Sequence, residues 1–557
     1  MNNIQKKLIC IGLTIIIIVI LLAGCGQNTD QDTNSDPAIS TGENAPSEGR
    51  TSDDLNTPNT DDDTDYIDQT VQETDTSMPK QESLEEKAKA ALETLEVWDG
   101  SVAESFDGGD GSAENPYQIT DGAQLAKLAN DVNNGVDFSG QHFVLTSDIM
   151  LNGINQWNWD SATDSSLLDT NNNWNPIGIN YFFNGNFDGQ NHIIWGIYNA
   201  YTYRDNYGDI GGNVGLFGTL NNGTISNLSV ACGILNSGSE NVGTIVGEIT
   251  QGSVHNCHIL HVNIVPQTAK AIGGICGTFR SNDGIEIVDC SSDALIEYTN
   301  ASQQGLYVGG IVGDGLAYEN SGLISACYSE CTLMISNTII SPQEEYPAYI
   351  YAGGICGAGD IIVNCCSMGN IGVTANCQTS ENFEGFLSVN IGGIIGWSSG
   401  PVLNCSSSNN LQYQGDIANT YMGGIAGVLG RNDRSADGFG HWYKADVTFC
   451  YSNAIMEVAS TEAVENIGGI SGCAGGEVTV TNCYYNKEYS DRAIAHTVPE
   501  SKVFTDQIKG LSTEDLSHSD NYYNWDFEST WTVDDAINNG LPILRVLSPY
   551  YKDYATS

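Results

Sequence analysis

Three loops of this 557-residue chain concentrate side chains suited to recognition chemistry. The first sets Trp157, Trp159 and Trp174 among Asp160, Asp164 and Asp169. Flat apolar rings beside carboxylates can stack on neutral sugars and hydrogen-bond their hydroxyls. The second loop carries Tyr201, Tyr203, Arg204 and Tyr207, and the third gathers Arg431, Arg434, His441, Trp442, Tyr443 and Lys444 into a basic, aromatic patch. The plainer reading of each loop is packing against the side of the body. Hydrolytic chemistry is less well supplied. No HExxH occurs, which excludes the zinc peptidases that use that signature. Spacing shows no carboxylate pair recurring from repeat to repeat, so no glycosidase-like acid and base can be named.

Composition narrows the partners. With 19 Lys and Arg against 69 Asp and Glu, the formal charge is −50, a poor match for nucleic acid or anionic lipid. Clustered carboxylates outside a cell can recruit calcium, although no site for it can be assigned and no other cofactor is expected. Residues 1–25 have a short basic start, an apolar run and a small-residue ending, the pattern of an export signal. Leu22, Ala23, Gly24 and Cys25 resemble the lipobox of bacterial lipoproteins, which implies a diacylglycerol on Cys25 and a place on the outer face of the cell membrane. The alternative is an uncleaved span, since the apolar run from Leu8 to Ala23 approaches the minimum of ~17 residues.

The remaining elements must position those loops. Residues 26–81 are polar and acidic with almost no aromatics, a tether rather than a fold. Residues 82–98 carry Leu84, Ala88, Leu92 and Leu95 at helical spacing. Residues 99–210 form an N-terminal cap and first rungs, with a helix expected from Leu125, Leu128, Ala129 and Val132 between a start at Thr120 or Asp121 and a stop at Gly135. Residues 211–486 are repetitive and 487–557 close the body.

The repeat has two parts. A glycine-rich hexapeptide recurs eight times, as in "IGGICG" at 272–277, "VGGIVG" at 308–313, "AGGICG" at 352–357 and "IGGIIG" at 391–396. After each comes an aliphatic residue, two variable positions and a cysteine, giving Cys257, Cys290, Cys327, Cys365, Cys405, Cys450 and Cys483; the first copy has Leu228 instead. Constant motifs at a variable period mean rungs of one size carrying loops of different length. In both parts the core-type residues stand three apart, so a corner must lie between them. Gly273 and Gly274 in one part and Asn256 in the other are residues that enter left-handed backbone at little cost. The expected fold is therefore an all-β parallel β-helix with a short N-terminal capping helix, its cysteines stacked inward mostly as buried thiols, with disulfides the alternative, chiefly among Cys327, Cys331, Cys365, Cys366 and Cys377. In "HNCHILH" (255–261) this turns Cys257 inward and His255 and His258 outward, away from a common metal.

The hexapeptides with their "NC" partners, the lead-in "GSAENPYQITDGAQLAKLANDVNNG" and the ending "STWTVDDAINNGLPIL" resemble the GLUG motif proteins of bacterial surfaces. That resemblance implies a right-handed coil. Together with the anchor it leads to an expected function: a monomeric, lipid-anchored surface protein that binds a host or matrix glycan or protein. A polysaccharide-active enzyme and a structural envelope spacer are the alternatives.

Overall fold

The computed structural model describes residues 83–551 apart from 158–167, 170–171, 203–211, 281–283, 301–304, 317–321, 341–347, 379–386, 418, 431–442 and 461–465. The leader, Cys25 and the tether lie outside the described residues. Apart from one two-stranded antiparallel pair, Trp531–Thr532 with Ile543–Leu544, every ladder between the named strands is parallel. The chain is a parallel β-helix.

The eight hexapeptides supply the eight strands of one sheet, from Asn213–Val214 to Ile467–Gly468. Gly243, Gly273, Gly309, Gly353, Gly392, Gly423 and Gly468 stand in direct register along it. Val242, Ile272, Val308, Ala352, Ile391 and Met422 pair likewise, and all are fully buried. A second eight-stranded sheet runs from Tyr198–Asn199 to Ile455–Ser460. The rest of each rung belongs to a larger sheet that bends around the coil, so identical positions pile up at about 4.8 Å per rung.

The corner before each ladder cysteine uses left-handed backbone: Asn256, Asp289, Ala326, Asn364, Asn404, Phe449 and Asn482 have φ between 50° and 58°. Where Asn recurs, the amides also bond along the coil, Asn256 Nδ2 to Asn227 Oδ1 at 2.8 Å and Asn404 Nδ2 to Asn364 Oδ1 at 3.0 Å. The glycine corner works differently, and the expectation of left-handed glycines is corrected here. None of the hexapeptide glycines from 273 to 472 has φ in the left-handed region. They are glycine because there is no room for a Cβ: at Gly354 it would lie 2.1 Å from Ser367 Oγ and 2.2 Å from Gly393 O, and at Gly274 2.3 Å from Ser292 Oγ. From Cys290 onward the residue two past each ladder cysteine presses on the second glycine, so the two sequence motifs are opposite walls of one narrow core.

All seven ladder cysteines are fully buried free thiols, and the other described cysteines are buried as well, except the half-buried Cys377. Each thiol donates to the carbonyl two residues earlier across its corner, at 3.1 Å for Cys483 and up to 3.4 Å for Cys257 and Cys290. Two helices close the N-terminal side. Helix α1 (Leu84–Thr94) has a capping box from Ser83 and Glu86 and buries Ala88 and Ala91. Helix α2 (Gly122–Asn133) is capped by Asp121 and buries Leu125, Leu128, Ala129 and Val132 in the main core. The last rung strand, Lys502–Leu511, continues the coil beyond residue 486. Residues 512–551 then form a strap along its flank rather than a lid on its end: Trp525, Tyr522 and Trp531 cluster on Tyr451 and Tyr484, while Tyr550 stacks on Tyr328 with centroids 5.4 Å apart.

Candidate functional site

The aromatic loops are partly structural. Trp174 is fully buried, its Nε1 donating to Leu216 O at 2.9 Å. Trp157 is buried against the α1 side, in one cluster with Ala88, Ala91 and Trp195. These two rings belong to the core and do not present a sugar-binding face. Trp159, Tyr203, Arg204, Arg431, Arg434, His441 and Trp442 fall outside the described residues. Lys444 is exposed and paired with Glu477 at 3.4 Å. Tyr443 meets Trp397 edge-on, centroids 5.5 Å apart, and so joins a different site.

That site follows from the glycine corner. The residue just before each hexapeptide and the residue just after it flank the bend on its outer side. Before it stand Ala271, Tyr307, Tyr351, Asn390 and Tyr421 in register; after it come Glu248, Thr278, Asp314, Ala358, Trp397, Val428 and Cys473. Between the two ladders lies a groove of about 450 Å³, lined among others by Lys270, Arg280, Asp314, Asp360, Trp397, Ser399 and Tyr443.

A run of rings, mostly buried, leads up to Trp397, the one of them that lines the groove. Tyr307 and Tyr349 share a 2.7 Å hydrogen bond between their hydroxyls, Tyr349 stacks on Tyr351 at 4.8 Å, and Tyr351 stacks on Trp397 at 5.7 Å. Each contact crosses to a neighbouring rung or along the same one, so the run extends parallel to the coil axis. Charged side chains gather in and beside the groove. Glu248, nearly buried, faces Arg280 at 3.3 Å; burial pushes its carboxyl up and the guanidinium partly offsets that. Lys270 pairs with Glu240 at 3.6 Å. Asp314 accepts the N–H of Leu316 at 3.3 Å, and burial, reinforced by the neighbouring Asp360, pushes its carboxyl up to about 7. Asp360 itself is buried and accepts a 2.8 Å hydrogen bond from Ser399 Oγ. Two carboxylates from adjacent rungs thus line one groove within electrostatic reach of each other, which spacing had not revealed. A second cleft, about 390 Å³, lies at the N-terminal cap, where Lys127 sits over the Phe106 ring and pairs with Asp131.

The fold and this groove define a parallel β-helix with an axial aromatic and acidic cleft. No protein-family model and no curated protein matches the chain. Among solved structures it is similar to a crystal structure described as "a putative immunoglobulin A1 protease from Bacteroides ovatus", 19% identical, with a TM-score of 0.37, the match covering 80% of this chain and 98% of that one. The fold assignment rests on the strand pairings alone.

Proposed function

We propose that this chain is a lipid-anchored, cell-surface β-helix protein that binds an extracellular ligand in the groove beside its glycine corner. The observation that supports this is the groove itself, in which the Trp397 and Tyr443 rings meet the Asp314 carboxyl and the Lys270 and Arg280 cations. Aromatic rings supply contact area at low entropic cost, and a carboxylate beside them supplies direction. The export signal and tether would carry the coil away from the membrane.

The test is adhesion of the anchored protein to arrays of glycans and matrix proteins. Wild type should bind one class, Trp397→Ala should lose most of that binding, and deletion of residues 431–442 should leave it. The reverse pattern would move the site to that loop, and silence of the wild type would favour a spacer. The presence of Asp314 and Asp360 in one groove lining keeps a polysaccharide-active enzyme as a second reading, for which release of new reducing ends from the same glycans is the readout.

A further inference from the structure

We infer that the C-terminal end of the coil is a self-association surface, at which the stretch from Lys502 to Asp506 pairs antiparallel with the same stretch of a second copy of this chain. This surface is independent of the groove, and it departs from the monomer expected from sequence.

The two ends of the coil are finished differently. Helix α2 packs into the core beside the first rungs. At the other end, Lys502–Leu511 pairs only with Glu477–Asn486, and Ile494–Thr497 only with Ser471–Ala474. Among the described residues no strand pairs with their outer edges, and the strap that follows runs back along the flank. The Lys502 amide donates to Gly476 O of the preceding rung at 2.7 Å. Alternation along the strand then turns the amides and carbonyls of Val503 and Thr505 into the open edge. Such an edge is a template for another strand.

Side chains specify which strand. Lys502, Phe504 and Asp506 are exposed, Phe504 at 55%. Lys444, Glu477 and Lys502 stand in register as a column of alternating sign, with Lys444 and Glu477 paired at 3.4 Å. The column stops at the open edge on a cation. Neither the Lys502 nor the Asp506 side chain has an ion pair or hydrogen bond among the described residues. A carboxylate is what the next strand must bring to Lys502, and this same strand carries one at Asp506.

Register follows from the backbone. Val503 and Thr505 must face residues of their own kind for the ladder to form, so the two-fold axis passes through a residue and not between two. Centred on Phe504, the pairing sets Val503 against Thr505 of the second copy, each amide donating to the other's carbonyl. The same register stacks the Phe504 rings side by side and meets Lys502 with Asp506 on both sides of the axis. Centring on Val503 or Thr505 would set Lys502 against Phe504 or Ile508 and pair no charges. The corner at Gln507, with φ 52°, ends the straight run and bounds the overlap. A lysine on an edge ordinarily repels a like strand, but the carboxylate four residues on makes this one self-complementary. Helix α1 clusters with Met150 and Trp195 of the first rungs, so the two-fold leaves the N-terminal helices at opposite ends of the pair. For chains held by their N-termini, as proposed above, this joins two facing surfaces rather than neighbours on one.

Sedimentation velocity of the full chain across the micromolar range tests this. Wild type should form a dimer whose share rises with concentration and falls with added salt. Lys502→Glu and Asp506→Lys should each weaken it by at least about tenfold, because the two-fold repeats every altered pair. Combining the two substitutions should return the affinity to within a few-fold of wild type, which also guards against a folding defect. Thr505→Pro, which removes a donor from the open edge alone, should abolish the dimer. A wild type that stays monomeric throughout would overturn the proposal. So would a dimer that both single charge reversals leave intact, since it would form through another surface, or a double variant no better than the singles.

Discussion

At the residue scale the corners show what each position has to satisfy. Five of the seven cysteine corners carry Asn or Asp in left-handed backbone, where a short polar side chain lowers the cost and the amide can bond to the next rung. Ala326 and Phe449 hold the same backbone, at φ 53°, without that help. Ala326→Asn should therefore stabilise the protein by about 1 kcal/mol, read as a shift in the denaturant midpoint at unchanged slope. Asp314 makes a different demand. Its carboxyl titrates near 7 in the folded protein against 3.8 as the ordinary value, so between those pH values the unfolded chain binds fewer protons and stability falls as pH rises. Asp314→Asn should match wild type at pH 4 and exceed it at pH 8 by at least about 1 kcal/mol, discounted for the partial exposure of the group. Equal differences at both pH values would show that the carboxyl titrates normally.

At the scale of the element, the repeat made the coil legible because hydrogen-bonded rungs force like residues into ladders. Helix α2 was equally readable, since its cap, apolar face and glycine stop agree with one another. The reason for the glycines was not readable: a left-handed turn and a wall too close for a methyl group select the same residue, and only coordinates separate them. The groove was missed for the opposite reason. Its residues sit beside the constant hexapeptides but differ from copy to copy, so aligning the repeats makes Thr278, Asp314, Ala358 and Trp397 look like noise. Reading the residue on either side of each copy would have recovered both ladders. The close wall has a measurable cost. In Gly354→Ala the added carbon meets Ser367 Oγ and Gly393 O, one of them backbone, so the rung must shift and stability should fall by about 1–3 kcal/mol. Ala358→Gly, in the same rung but outside the pinch, serves as the comparison in the same denaturant titration and should lose less.

At the scale of the whole molecule, each rung touches chiefly its neighbours, which by itself would let the coil open from its end. The strap opposes this by tying distant rungs together: Trp525 Nε1 donates to Asn482 O at 2.9 Å, Tyr451 hydroxyl to Pro542 O at 2.7 Å, and Tyr551 hydroxyl to Cys366 Sγ at 2.8 Å. The ladder thiols report on such opening position by position, since burial denies reagents access and pushes Cys327, Cys405 and Cys483 well above the usual thiol range. Alkylation in mild denaturant, resolved by mass spectrometry, should label half-buried Cys377 first and the ladder far more slowly. Removing one aromatic anchor with Trp525→Ala should cost about 3 kcal/mol locally, more than a hundredfold in the opening equilibrium. That acceleration should fall on Cys483 and Cys450, beneath the anchor, and leave Cys290 near its wild-type rate. A uniform acceleration of all seven thiols would mean that the coil opens only as a unit, and that the strap secures the whole stack rather than its C-terminal end.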